Sequence, residues 1–288
     1  MDDGNRGMVE AWNTVLYTKF LRFKHVLVDG LSQHSDAAFE RCGHPEGARV
    51  LDVGCGFGDC TLRIAKRVGP TGEAVGVDCA ENFIRAAEIE ARKEGVDNAH
   101  FFVGDAQSGE LRGPYDHAFA RLGTMFFAMP GEAMRNIRHA LKPGGAFTQI
   151  VWRRREENPW LHEAEVCVKK ILPVVSQEGS SQVHSGPGPF SMAAPDAVST
   201  MLRGAGFERI TFERFDCDIC IGHDMDDAVE FAMAFGPSGE AMRLAGEEGE
   251  KRKPQVVAAL KETLAPFARP DGLWAPSSTW FISATNPS

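Results

Sequence analysis

Nine consecutive residues, Leu51–Asp59 (LDVGCGFGD), set a carboxylate, Asp52, two positions ahead of three alternating glycines, Gly54, Gly56 and Gly58. Glycines so spaced allow a turn with left-handed dihedrals, and they let a ligand reach the backbone without meeting a Cβ. Two further carboxylates end apolar runs downstream, Asp78 in VGVD and Asp105 in VGDAQ. Asp78 stands about twenty residues beyond the turn, where a carboxylate accepts the hydroxyl protons of a ribose. Asp105 is suited to accept from the exocyclic amine of an adenine while the N–H of Ala106 meets a ring nitrogen. Either residue could also serve as a helix N-cap, a role that favours Asp.

The pattern GxGxG differs from the dinucleotide fingerprint GxGxxG, and no Lys followed by Ser or Thr completes a phosphate loop. Asp52 and Asp59 would repel a pyrophosphate and attract a ligand that carries an ammonium and a sulfonium. The charges therefore favour adenosylmethionine over NAD.

The turn must be held by strands. Short apolar runs at Ala48–Gly54, Glu73–Asp78, Ala99–Asp105, Tyr115–Leu122 and Gly145–Trp152 alternate with helical stretches at Asp59–Val68, Glu81–Glu94 and Arg135–Leu141. That alternation predicts an α/β, doubly wound, mostly parallel sheet, with the three acidic residues at successive strand ends. LKPGG (Leu141–Gly145) is expected to stop the helix before the fifth strand. Ahead of this core, Val15, Leu16, Phe20, Phe23 and Leu27 recur at helical spacing, so residues 1–47 are expected to form a helical lid. Beyond it come a helix at Pro159–Leu172, a Ser-, Gly- and Pro-rich inserted loop at Pro173–Phe190, and a helix at Pro195–Ala205. A strand at Glu208–Cys220, two helices within Asp226–Pro266 and a strand at Ser278–Ala284 complete the chain, the last two strands pairing antiparallel at the sheet edge. The organisation expected is thus an extension over 1–47 and one domain over 48–288, with a binding core at 48–152 and an insertion at about 156–192.

The order LDVGCGFG, VGVD, GDAQ, LKPGG resembles the class I adenosylmethionine-dependent methyltransferases, over roughly Ala48–Trp152. The resemblance implies a seven-stranded sheet with a reversed final strand, and cofactor binding by Asp52, Gly54, Gly56, Asp78 and Asp105. Cys55, Cys79, Ala106 and Arg121 complete the expected cofactor-binding set. RLGTMFF, the WR followed by ENPW, and GPGPF look like a bacterial subgroup of small-molecule methyltransferases. The N-terminal Trp12–Asn13 pair also looks like that subgroup, in which the leading helix closes over the cofactor.

Methyl transfer is an in-line displacement at an activated carbon, so alignment and exclusion of water supply much of the rate, and a base is needed only for weakly acidic acceptors. No catalytic dyad stands out. Arg121, at the end of the fourth strand, could anchor a carboxylate of acceptor or cofactor, or could form a structural ion pair. His162 is a candidate base, whereas His117 and His139 belong to packing and to a surface helix. Trp12, Phe126 and Trp160 are candidates for the acceptor pocket, with Phe127 and Met129 beside them.

Composition narrows the rivals. A net charge of -9 disfavours a nucleic-acid surface. The absence of any long apolar run disfavours a membrane span, and the polar start and the seven scattered cysteines suggest a reduced, cytoplasmic setting. Cys217 and Cys220 have CxxC spacing, yet three positions apart on a strand they face opposite sides, and no metal site is expected there. The alternatives to a methyltransferase are a non-catalytic adenosylmethionine-binding module and an NAD(P)-dependent oxidoreductase. Oligomeric state is not legible.

Overall fold

The computed structural model describes residues 9–172 and 188–288. The apolar runs become β1 Arg49–Val53, β2 Glu73–Asp78, β3 Ala99–Val103, β4 Tyr115–Arg121 and β5 Leu141–Trp152. All neighbours among these five pair in parallel. Side chains alternate across a strand, and that alternation builds two cores. Val50, Phe119 and Ile150 join Phe39 and Ile64 on one face. Leu51, Val53, Ala118, Ala120, Phe147 and Val151 join Met134, Ile137 and Leu202 on the other.

The helices are α1 Tyr17–Arg22, α2 Ser32–Cys42, α3 Asp59–Val68, α4 Glu81–Glu94, α5 Pro130–His139, α6 Pro159–Ile171, α7 Pro195–Gly204, α8 Met225–Ala234 and α9 Gly236–Leu264. The termini of α3 follow from its sequence: Asp59 opens it, Lys66 and Arg67 sit in its last turn against the dipole, and Gly69 ends it at φ 69°. β6 Glu208–Gly222, the two-residue β7 Ala268–Arg269 and β8 Gly272–Thr285 complete a sheet of order β3-β2-β1-β4-β5-β8-β6, with β7 paired to β8. β8 runs antiparallel to both β5 and β6. The reversed strand thus lies between its two partners, with β6 at the edge. Among the described residues no helix is long and apolar enough to cross a membrane.

Several boundaries differ from expectation. β5 starts at Leu141, so LKPGG belongs to the strand and does not precede it. Hydrogen bonds from Gly144 N to Asn286 O (3.0 Å) and from Asn286 N to Gly145 O (2.8 Å) hold it beside the end of β8. α5 starts at Pro130, where proline's fixed φ and missing N–H suit a first helical position. The N-terminal segment is a succession of short helices, with π-helical turns at Trp12–Leu16 and His25–Gly30 flanking α1. α9 is kinked at Gly246, at φ 52° and ψ -126°. Most of the predicted inserted loop, 173–187, lies outside the described residues.

Gly58 shows why a small residue must precede α3. Its φ is 81°, and a Cβ there would lie 2.7 Å from Ala87 Cβ and 2.9 Å from Phe101 Cε1. Left-handed strain and overpacking act together, so Gly58→Ala is expected to destabilise the fold by about 2 kcal/mol. The check is a lower denaturation midpoint at unchanged m-value; an unaltered midpoint would mean that α4 and β3 yield freely.

Candidate ligand-binding cleft at the carboxyl edge of the sheet

The glycine turn leaves β1 and is stitched to the end of β2. Gly54 N and Cys55 N donate to Val77 O at 2.8 and 3.1 Å, and Gly58 N to Cys55 O at 2.9 Å. Gly54 and Gly56 take φ of 70° and 53°. Asp78 secures the turn from the other side: Oδ2 accepts from Gly56 N at 3.0 Å and Oδ1 from Ala80 N at 2.9 Å. Burial raises the Asp78 carboxyl above its ordinary value, opposed by those backbone N–H groups. Each oxygen has a second lone pair for a ligand hydroxyl.

Asp52 alternates with Leu51 and Val53 and so shares the face of Val50, where α3 covers it. Its carboxylate is 2% exposed and accepts from Thr61 Oγ1 at 2.6 Å. Burial, with the charges of Asp59 and Asp78, pushes it up to about 7 against the Thr61 hydrogen bond and Arg121. Asp52 therefore lies beneath the turn. The thiol of Cys55 is raised well above its ordinary value by burial and that of Cys79 to about 12. Both remain protonated, which removes thiolate chemistry from this edge.

Of the two readings of Arg121, the structure has the ion pair. Its guanidinium reaches Asp59 (Nη2–Oδ2 2.8 Å) and donates to Ser35 Oγ at 2.8 Å from the other nitrogen. The side chain is 10% exposed, and this pairing turns it away from the role of a free carboxylate anchor. Leu122, the next residue, has φ 60°, an uncommon conformation for a residue with a branched side chain. Backbones close in at this point: a Cβ on Gly54 would lie 3.3 Å from Gly123 Cα.

The N-terminal segment spans the mouth. Asn13 Oδ1 accepts from Glu81 N at 2.9 Å, Asn13 O accepts from Asn82 Nδ2 at 2.8 Å, and Asn13 Nδ2 reaches Cys79 O at 3.4 Å. Beside it the Trp12 ring packs edge-on against Phe126 (5.3 Å) and Phe20 (5.2 Å) and lies 6.4 Å from Phe83. Tyr17, Phe57 and Phe83 extend this aromatic layer. One segment thus bridges from the turn after Asp78 to the loop after β4.

The remaining predicted residues fall in several places. Asp105 holds its own turn, Oδ1 accepting from Gln107 N (2.9 Å) and Oδ2 from Ser108 Oγ (3.0 Å), and Ala106 is buried beside it. Trp160 is in the interior, stacked on Phe231 at 5.9 Å and edge-on to Trp152 at 6.0 Å. It is a packing residue at the α6–α8 contact, and its buried Nε1 has no hydrogen-bond partner among the described residues. His162 Nδ1 is likewise buried and unpartnered among them. His117 bonds His44 (3.0 Å) and Thr148 (3.1 Å) in the core, where burial lowers it to about 3; His139 is exposed at the end of α5. Phe126, an expected pocket residue, does meet Trp12, whereas sequence reasoning missed Thr61, Ser35 and Phe83, which only tertiary contact reveals.

A ligand with a ribose, an adenine and two cationic centres fits these residues. A Cβ on Gly56 would meet nothing within 4 Å, so open space lies over the turn. Carboxylates of Asp78 and Asp105 flank it, and the nearby cation Arg121 is committed to Asp59.

A family model described as a methyltransferase domain matches residues 44–180. The chain is 33% identical over 175 residues to nocamycin O-methyltransferase of Saccharothrix syringae, covering 57% of this chain. That match spans 60% of the nocamycin enzyme, less than two thirds of its length. It is 32% identical over 188 residues to demethylmenaquinone methyltransferase of Staphylococcus aureus, covering 63% of this chain and 76% of that one. The crystal structure of the YcgJ protein from Bacillus subtilis superimposes with a TM-score of 0.55 at 17% identity, covering 89% of this chain and 99% of the other, a likeness of fold.

Proposed function

Because the chain belongs to the class I adenosylmethionine-dependent methyltransferases, we propose that it methylates a small, apolar, aromatic acceptor held beneath the N-terminal segment. The observation that carries this reading is the bridge made by Trp12 and Asn13, which sets an aromatic wall next to the turn governed by Asp78. Two relatives are named for methylating nocamycin and demethylmenaquinone, which supports a small-molecule acceptor of this kind.

Adenosylmethionine supplies a methyl group already activated by its sulfonium. The chain's own contribution is alignment and dryness. Asp78 and the glycine turn would seat the ribose and amino-acid portions, Asp105 and Ala106 the adenine. Trp12, Phe20 and Phe126 would exclude water and press a flat acceptor into line, so that proximity supplies most of the rate. The imidazoles of His34, His44 and His117, lowered by burial to about 4, 4 and 3, are neutral and poor bases. For His162 to act as a base, its buried and unpartnered Nδ1 would first have to be exposed to an acceptor.

The test is incubation with methyl-tritiated adenosylmethionine and a panel of hydroxylated aromatic and quinol acceptors. Label transferred to an acceptor supports the proposal; tight cofactor binding with no transfer to any acceptor favours a binding module. Trp12→Ala is expected to raise the acceptor KM about tenfold, the loss of one aromatic contact layer, with kcat changed less. An unchanged KM would remove the N-terminal segment from the acceptor site. Truncation is the poorer experiment beyond residue 31, because α2 buries Ala38 and Phe39 against the sheet.

A further inference from the structure

Away from the cleft, three metal-ligating side chains meet where the N-terminal segment crosses the turn between β6 and α8. His25 comes from the second π-helical turn, His223 directly follows β6, and Asp227 lies in the first turn of α8. His25 Nε2 is 2.6 Å from Asp227 Oδ2. The two imidazole rings are 4.5 Å apart between centroids and tilted by 50°. One donor atom from each of the three side chains lies within 4.8 Å of the other two.

The carboxylate is oriented by its surroundings. His223 N donates to Asp227 Oδ2 at 3.0 Å, and Arg22 Nη1 stands 3.6 Å from Oδ1. Arg22 also pairs with Glu230 at 2.8 Å, and Lys261 with Asp226 at 2.6 Å. Asp224 adds a further carboxylate, its Oδ1 accepting from Asp227 N at 2.9 Å. The local field favours an incoming cation over an anion.

Two imidazoles and one carboxylate form the donor set of a borderline ion such as Zn2+, whereas Mg2+ and Ca2+ require mainly oxygen. Three protein ligands leave one position of a tetrahedron for water. We propose that His25, His223 and Asp227 bind one divalent transition-metal ion, which fastens the N-terminal segment to the start of α8. The ion displaces the hydrogen between His25 Nε2 and Asp227 Oδ2, which passes to solvent while the bound imidazole keeps its hydrogen on Nδ1, and the two donors move apart, since ligands on a tetrahedral ion with bonds of about 2.0 Å stand about 3.3 Å from each other.

The seven free cysteines are the competing ligands, so the probe must report ligand type. Co2+ serves, titrated into the untagged full-length protein and followed by absorption. The expected result is one equivalent bound with visible d–d bands and no thiolate charge-transfer band in the near ultraviolet, displaced by Zn2+. His223→Ala and Asp227→Asn should each weaken binding by about tenfold or more. His223 is exposed, and its imidazole has no role in the His25–Asp227 hydrogen bond, so His223→Ala should keep the apo melting temperature. Absence of binding, a dominant thiolate band, or an affinity indifferent to His223→Ala would each overturn the proposal.

Discussion

Asp78→Ala is expected to weaken adenosylmethionine binding by about two orders of magnitude or more, the largest effect of any single change at the cleft. The carboxylate has two tasks. It holds the turn through the N–H groups of Gly56 and Ala80, and it offers the remaining lone pairs to a ribose. Removing it leaves two N–H groups unbonded and withdraws a charge-assisted contact, which together amount to roughly 3 kcal/mol. Isothermal calorimetry with adenosylmethionine and its demethylated product measures this directly, and an affinity within threefold of the parent would remove Asp78 from the site.

The pH dependence follows from the same groups. A cationic ligand prefers Asp78 and Asp52 ionised, yet burial raises both, Asp52 to about 7. Cofactor affinity is therefore expected to rise with pH through about 7 and to level off above it, and Asp52→Asn should flatten the profile. Stability runs in the opposite sense. The folded chain holds the Asp52 proton more tightly than the unfolded chain does, so its contribution is complete at low pH and lost as pH rises through about 7.

The second large effect belongs to Arg121. Arg121→Ala is expected to cost on the order of 3 kcal/mol of stability, because Asp59 would lose its partner in a low-dielectric setting beside Asp52. Arg121→Lys should recover only part of that loss, since a single ammonium does not reproduce the fork that spans Asp59 and Ser35. A chemical-denaturation cycle with Asp59→Ala provides the check. The double variant should be more stable than the sum of the single losses implies, and simple additivity would show that the pair is not coupled.

Which of these features could be read beforehand depends on how locally they are encoded. The strands, the glycine turn and the acidic strand ends were legible because each is written in five to ten adjacent residues with a clear period. The start of α5 was also written locally, in Pro130, but the helical stretch expected at Arg135–Leu141 placed the boundary too late. LKPGG reads as a helix stop, yet its glycines lie in β5 because Asn286, far along the chain, bonds to both Gly144 and Gly145. Tertiary partners decided the site in the same way. Arg121 meets Ser35 across 86 positions, and His25 meets Asp227 across 202. The CxxC of Cys217 and Cys220 was the visible metal-like spacing, while the His and Asp cluster has no spacing at all.

The place of β8 has a consequence for the order in which the molecule can be made. β1 to β5 are written before residue 153 and can pair as they leave the ribosome, but β6 cannot join them, since the strand that bridges it to β5 is Gly272–Thr285. Until that strand emerges, β5 carries an open edge and β6 has no partner, a state in which sheets tend to recruit strands from other chains. Completion of the sheet is therefore a late event that waits for residues Gly272–Thr285. A nascent chain arrested before them holds the glycine turn and its acidic neighbours on an unfinished scaffold.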